Sequence, residues 1–150
     1  LIKYQSAKAK KLLRRFNDMF NNSKSEVEDK HAIGPAINMH HIFPENEYQE
    51  ISGYIENLIA LTPNQHFIEA HPKGNTQIVD LAFQQICLIC KASSIQKNLN
   101  GPEEQIIYSF KNFQYVLSVG LENDEFEAVD DLDFNEIIRM INIEYIKMKI

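Results

Sequence analysis

The spacing of apolar positions changes along the chain, and each change predicts a different element. In residues 1–20 apolar residues recur every three or four positions, which predicts a helix with one apolar face. That face would hold Leu1, Tyr4, Ala7, Leu12, Phe16, Met19 and Phe20, with the basic residues mostly on the other faces. The polar segment NNSKSEVED follows this helix and predicts a loop.

Residues 36–71 predict a strand, a loop, a second strand and a short helix, in that order. The segment AINMHHIF alternates as a strand does, and Pro44 ends it because proline cannot donate to a ladder. The segment NLIALT predicts the second strand. In Thr62-Pro63-Asn64-Gln65 a threonine cap and a glutamine three positions later form a capping box. A helix should therefore begin here and stop before Pro72.

Residues 76–150 predict helices only. Thr76 would cap a buried helix over residues 77–91, Gly101-Pro102 would open a second helix, and Asp133 would cap the last one. The second helix would bury Ile106, Ile107, Phe110, Phe113, Val116 and Leu117, and the last would bury Ile137, Ile138, Ile141 and Tyr145. The predicted fold class is α+β. One domain would span residues 1–150, with a basic helix over 1–20, a small mixed core over about 34–73 and a helical part over 76–150.

The composition is that of a globular protein. With 150 residues, 44% of them hydrophobic, the chain can bury the core of one domain. No apolar run reaches the roughly 20 residues that span a bilayer, and the N-terminus lacks the apolar region of a signal peptide. We therefore expect a cytoplasmic protein without a membrane partner. The chain opens at Leu1 instead of Met, which indicates a fragment of a longer protein with an additional domain N-terminal to Leu1.

Charge is distributed unevenly, although the net charge is −6. Residues 1–40 hold eight Lys and Arg against four Asp and Glu, whereas the other 110 residues hold seven against seventeen. Such asymmetry can pair a basic contact face with an acidic back. The basic helix is then either a solvated capping helix or an element that contacts phosphates. The candidates for phosphate contacts are Lys8, Lys10, Lys11, Arg14, Arg15 and Lys73.

Four of the five histidines lie within residues 39–72. His40 and His41 are neighbours on the first predicted strand, so their side chains point to opposite faces. Because they cannot bind the same ion, we expect one to bind a metal beneath the strand and the other to act as a base on the open side. An unperturbed imidazole titrates near pH ~6.5, which suits removal of a proton from water. A metal ion would stabilise the leaving oxygen, so the pattern indicates metal-assisted hydrolysis.

The segment HHIFP, then Asn57-Leu58, then TPNQH and a further histidine, resembles the HNH motif of the ββα-metal nucleases. The resemblance covers about residues 34–73 and is closest to the bacteriocin DNases and to HNH-type restriction endonucleases. It implies a small ββα-metal core embedded in a mainly helical domain, with His40 and His66 as metal ligands and His41 as the general base. It also implies that Asn57 holds the loop between the strands and orients His41 by a hydrogen bond.

The last histidine departs from the spacing of that family. In the bacteriocin enzymes a third histidine follows four residues after the helix histidine, whereas His71 follows His66 by five. On a regular helix that offset places His71 about 140° from the face of His66. We expect His71 either to leave helical geometry before Pro72 and bind the ion or to contact a phosphate, with Asn64 as an alternative ligand.

Cys87 and Cys90 form a CxxC pair inside an apolar predicted helix. A structural zinc site would need more thiolates than this single pair supplies. A redox pair would prefer a helix N-terminus, whereas these residues lie near a C-terminus. We therefore expect both cysteines in the core.

The resemblance implies a metal-dependent endonuclease that acts on double-stranded DNA, as the catalytic domain of a restriction-type enzyme. The expected cofactor is one divalent ion, Mg²⁺ or Mn²⁺, with Zn²⁺ or Ni²⁺ as alternatives. A homodimer would explain double-strand cleavage, although no segment of the sequence establishes one. Two alternatives stay open: a non-catalytic nucleic-acid-binding module with a structural zinc, and an RNase or nicking enzyme on the same core.

Overall fold

The computed structural model describes residues 2–71 and 80–149. Its helices are α1 (Ile2–Phe20), α2 (Leu81–Leu99), α3 (Phe110–Gly120) and α4 (Phe134–Met148), and its strands are β1 (Asn38–His41) and β2 (Leu58–Leu61). A π-helical segment covers Gln65–Ala70, and short 3-10 turns cover Gln49–Ile51, Ile55–Asn57, Glu103–Gln105 and Asp124–Ala128. The described part is mainly helical with one small sheet, which agrees with the predicted α+β class at that coarse level.

The two strands pair in an antiparallel sheet. All four residues of β2 are buried, because α1 packs against this strand and the helical part covers the rest of the core. Glu26 closes the outer edge of β2: its N–H donates to the Ala60 carbonyl at 3.0 Å, and its carboxylate accepts the Ala60 N–H at 2.7 Å. These backbone groups would otherwise form an unpaired strand edge.

Lys91 of α2 connects that edge to the helical part. Its Nζ lies 2.7 Å from Glu26 Oε1 and donates to the Tyr108 hydroxyl at 2.7 Å, and the side chain is fully buried. Burial lowers the pKa of Lys91, while the neighbouring Glu26 raises it. Removing one member of such a pair would leave a buried charge without a partner, so the pair joins the sheet firmly to α2.

The buried face of α1 differs from the predicted one. Its buried residues are Ser6, Ala9, Leu13 and Asn17, whereas the predicted core residues Tyr4, Leu12, Met19 and Phe20 are exposed. Polar contacts decide this orientation, because the Asn17 amide donates to the Lys24 carbonyl at 2.8 Å and Ser6 reaches the loop after β1. A pattern built on apolar residues cannot detect a helix face whose contacts are small and polar.

The start of α3 also differs from the prediction. Only one 3-10 turn follows Pro102, and α3 begins at Phe110 with the Ser109 side chain as its cap. The Asn98 side chain explains the delay, because it donates to the Gln105 carbonyl at 2.9 Å and accepts the Ile107 N–H at 3.0 Å, which keeps this segment extended. Ile106 is consequently exposed instead of buried.

The other helices of this part agree better with the sequence pattern. Asp133 caps α4 as predicted, accepting the Glu136 N–H at 3.1 Å, and Ile137, Ile141 and Tyr145 are buried. Asp80 caps α2, which continues to Leu99 instead of ending near residue 91. The predicted cap of this helix, Thr76, lies outside the described residues. Within the described ranges, no helix combines the length and apolar character that a membrane span requires.

Candidate metal centre and basic cleft

β1 sends its two histidines to opposite sides, as the alternation along a strand requires. His40 is 5% exposed and its ring meets those of His66 and His71, whereas His41 turns toward Ser6 and Ser52. The two histidines therefore lie on different faces of β1, as predicted, with His40 beside two other histidines.

His40, His66 and His71 form the histidine cluster. Their ring centroids are 5.2 Å apart for His40 and His66, 5.2 Å for His40 and His71, and 4.7 Å for His66 and His71. One nitrogen from each ring lies within 4.8 Å of the other two. Nitrogens that bind one tetrahedral ion at about 2.0–2.1 Å are roughly 3.4 Å apart, so the three rings would have to move closer together, by at most about 1.4 Å, to bind one ion. The three imidazoles are therefore a candidate site for one transition-metal ion.

The π-helical segment explains how His71 joins the cluster despite its five-residue separation from His66. Regular α-helical winding would place the two side chains on different faces. In Gln65–Ala70 the winding is of the i→i+5 kind, which puts more residues into each turn and brings positions five apart close together. His71 itself has φ −127° and ψ 88°, outside helical geometry, as expected for a residue before proline.

The predicted capping box starts this segment. The Thr62 hydroxyl accepts the Gln65 N–H at 3.2 Å, and the Gln65 side-chain oxygen accepts the Thr62 N–H at 3.0 Å. The Gln65 side chain, which is fully buried, also donates to the Val27 carbonyl at 2.7 Å. Gln65, the residue directly before His66, is therefore held through both the oxygen and the nitrogen of its amide, and it positions the first turn of the segment.

Burial lowers the pKa of two imidazoles of the cluster, those of His40 and His66. The pKa of His40 is lowered well below its ordinary value, first by burial and then by the neighbouring His66 and His71. Burial likewise lowers the pKa of His66, with a further contribution from His71. A metal ligand must offer an unprotonated nitrogen, so both shifts favour metal binding at neutral pH.

His41 is held by the turn that follows the strand. Its Nε2 lies 2.9 Å from the Ser52 carbonyl, 3.1 Å from the Ser6 hydroxyl and 3.6 Å from Glu45 Oε2. A carbonyl oxygen only accepts, so Nε2 carries the proton and Nδ1 keeps its lone pair. Burial lowers the pKa of His41, and the Ser52 carbonyl opposes that shift. The ring is therefore neutral near pH 7, with Nδ1 as its basic atom.

Asn57 holds the loop between the strands, but it does so through the backbone and not through His41. Its side-chain oxygen accepts the Phe43 N–H at 2.9 Å, and its amide donates to the Phe43 carbonyl at 3.1 Å. Among the described residues these contacts and a longer one to the Ile51 carbonyl satisfy the side chain, so the expected hydrogen bond to His41 is wrong. The reason is geometric: Asn57 is fully buried behind the strand, and the Ser52 carbonyl takes the orienting role.

One cleft of about 1010 Å³ joins the cluster, His41 and the basic face of α1. The basic residues that line it are Lys10, Lys11, Arg14 and Arg15. Arg14 is also 3.5 Å from Asp18 in an exposed pair. Lys8 lies outside this cleft and lines a separate depression with Gln49 and Gly53, while Lys73 falls outside the described residues.

Four residues that contact His41 or His66 carry no role in the sequence prediction: Ser6, Asn38, Glu45 and Ser52. Asn38 offered a signal, because it precedes His40 by two positions and must share its face of the strand. Ser6 and Ser52 meet His41 through contacts with other segments, and Glu45 meets it from the loop directly after β1; none of the three offered a signal.

The remaining candidates lie apart from the cluster. Asn64 is exposed and does not line the cleft. Cys87 and Cys90 are free thiols on α2, the first fully buried and the second half-buried, and burial raises the pKa of both. This agrees with the expected place of these cysteines in the core.

Comparison with known proteins adds no relative: no family model matches the chain, and neither a curated protein nor a solved structure matches it.

Proposed function

We propose that this chain is a metal-dependent endonuclease domain that hydrolyses phosphodiester bonds of double-stranded DNA. The observation that carries the proposal is the cleft in which the histidine cluster, His41 and the basic face of α1 meet. The order of β1, β2 and the π-helical segment is compatible with a ββα-metal core, which belongs to the same proposal.

His40, His66 and His71 would hold one divalent ion, which would supply the positive charge that polarises a phosphate and stabilises its leaving 3′ oxygen. Three imidazoles suit Zn²⁺ or Ni²⁺ better than Mg²⁺ or Mn²⁺, which prefer oxygen ligands. Lys10 and its basic neighbours on α1 would contact phosphates beside the cleft and set the affinity without reading the sequence.

His41 would act as the general base through Nδ1, because the Ser52 carbonyl already engages Nε2–H. Once Nδ1 takes a proton from water, the ring becomes a cation. Glu45, 3.6 Å from Nε2, would stabilise that cation, and the Ser6 hydroxyl, 3.3 Å from Glu45, would hold the carboxylate in place.

The test is cleavage of supercoiled plasmid by the purified chain in EDTA, Mg²⁺, Mn²⁺, Zn²⁺ and Ni²⁺. We expect metal-dependent nicking or linearisation that disappears in His41→Ala and persists in His31→Ala, a histidine outside the cleft. Activity that survives His41→Ala would contradict the assigned base. Faster cleavage of an RNA of matched length would instead indicate an RNase.

A non-catalytic module with a structural zinc is the second candidate, because three imidazoles already supply most of a closed four-ligand site. Tight stoichiometric zinc binding, DNA binding and no cleavage with any metal would favour it.

A further inference from the structure

Asn38 lies beside the histidine cluster, and the proposed chemistry gives it no role. Its side-chain nitrogen is 3.4 Å from His66 Nδ1. Its Oδ1 is buried and accepts no hydrogen bond within the described ranges. Asn38 also lines the cleft and shares the face of β1 that carries His40. A half-buried side chain whose oxygen is buried and unused, next to an imidazole proposed to bind the metal, points to a function.

The position of the proton on the His66 ring determines whether the oxygen or the nitrogen of the Asn38 amide can form a hydrogen bond with that ring. A neutral imidazole has one N–H and one lone pair, and the nitrogen that binds a metal uses the lone pair. If His66 binds through Nε2, then Nδ1 carries the proton and needs an acceptor. If the Asn38 NH₂ group faced Nδ1 instead, the proton would sit on Nε2, and neither nitrogen would be available to an ion.

The Asn38 amide can supply the acceptor that the Nδ1–H of His66 needs. A half-turn of the amide exchanges its oxygen and nitrogen without moving the rest of the side chain, and the hydrogen-bond partner decides between the two orientations. With the oxygen toward His66, Oδ1 accepts from Nδ1–H and Nε2 keeps its lone pair for the ion, while the NH₂ group takes the buried position that Oδ1 held. Outer partners of this kind fix the tautomer and orientation of metal-binding histidines.

We propose that Asn38 is a positioning residue: its amide oxygen accepts the Nδ1–H of His66 and holds that histidine as an Nε2 ligand before the ion binds. The proposal rests on the metal site of the proposed function. It does not depend on cleavage, because the tautomer of His66 is a property of the metal-free protein.

The first measurement is the tautomer of His66 in the metal-free, ¹⁵N-labelled chain, from long-range ¹H–¹⁵N correlations at pH 8. We expect the Nδ1–H form in the wild type. We also expect it in Asn38→Asp, whose carboxylate can only accept, and a loss of this preference in Asn38→Leu, which has no acceptor. An Nε2–H form of His66 in the wild type would overturn the proposal, even if the leucine variant failed to fold.

The second measurement is Zn²⁺ affinity by competition with a chromogenic chelator. Asn38→Leu should bind about 10- to 100-fold more weakly, the range typical of outer-shell partners, while Asn38→Asp should keep most of the affinity. Equal reductions in the two variants would mean that the NH₂ group matters, which contradicts the proposal. The plasmid assay could show no cleavage while the Asn38 variants still changed the His66 tautomer. In that case the proposed nuclease function would be wrong, and the proposed role of Asn38 would stand.

Discussion

The rings of His66 and His71 lie 4.7 Å apart and perpendicular to one another, although the two residues are five positions apart in the chain. Regular α-helical winding does not bring such positions together, and the π-helical segment Gln65–Ala70 does. The position of the third histidine is therefore tied to an irregular turn.

This relationship predicts that His71 is a metal ligand and not only a phosphate contact. His71→Ala should weaken Zn²⁺ binding by more than the roughly 10- to 100-fold expected for an outer-shell partner, because it removes one of three donors. The measurement is chelator competition at pH 8. Phe67→Ala, on the same segment but 66% exposed, is the control that should bind normally. Unchanged affinity in His71→Ala would limit the site to His40 and His66.

The basic face of α1 predicts a salt-dependent DNA affinity. Replacing Lys10, Lys11, Arg14 and Arg15 with Ala should weaken binding at low salt. The plot of log affinity against log salt should flatten by roughly 0.9 for each phosphate that the variant no longer neutralises. Fluorescence anisotropy of a labelled duplex between about 50 and 200 mM salt, a range over which such effects are large, would measure both quantities.

A control for this experiment must change the net charge equally. Lys97, Lys111, Arg139 and Lys147 lie outside the cleft, so their combined replacement with Ala should leave the salt slope unchanged. If both quadruple variants bound DNA equally weakly, the effect would come from net charge alone and not from the basic face of α1.

The close contact of Gly53 with α1 predicts that this helix positions His41, the proposed base. A Cβ atom at this position would lie 2.9 Å from Gln5 Cβ on α1, so Gly53→Ala must push the helix or the turn away. The adjacent Ser52 carbonyl holds His41, and we therefore expect slower cleavage with unchanged metal affinity, together with a decrease of about 1–3 kcal/mol in the free energy of unfolding. Urea denaturation, chelator competition and the plasmid assay separate the three quantities.

Gly101→Ala is the matched control, because a Cβ atom there would meet its nearest neighbour at an ordinary 3.4 Å. It should change neither cleavage nor metal binding. A Gly53→Ala variant that cleaves at the normal rate would show that α1 does not position His41.

The buried carboxyl of Glu56 should make the free energy of unfolding depend on pH. It is 1% exposed, and burial raises the pKa of its carboxyl above the ordinary value, although the Ser109 N–H, 2.8 Å away, lowers it in part. A raised folded-state pKa contributes stability below the unfolded pKa of 4.5, and this contribution is lost as pH rises through the folded value.

Glu56→Gln keeps an acceptor for Ser109 and removes the titration. The variant should gain stability relative to the wild type as pH rises from 4 to 8, with no gain at the acid end. Urea denaturation across that range measures the difference, and a gain that is constant with pH would contradict the assignment.

The elements that local chemistry specifies could be predicted from the sequence. The Thr62–Gln65 capping box and the Asp133 cap lie where the pattern places them, because both partners of each hydrogen bond are three residues apart. The opposite directions of His40 and His41 follow from the pleat of a strand alone. The helix over 1–20 and the two short strands were predicted for the same kind of reason.

Tertiary structure decided what local chemistry leaves open. The face of α1 depends on polar contacts of Ser6 and Asn17. The side chain of Asn57 reaches the backbone of Phe43, fourteen residues away, and His41 meets Ser6 across thirty-five residues. His71 joins the cluster because Gln65–Ala70 winds as a π-helix and His71 itself leaves helical geometry. The sequence alone shows the candidate histidines. Contacts between distant segments determine which of these histidines meet, because such contacts cannot be identified from spacing along the chain.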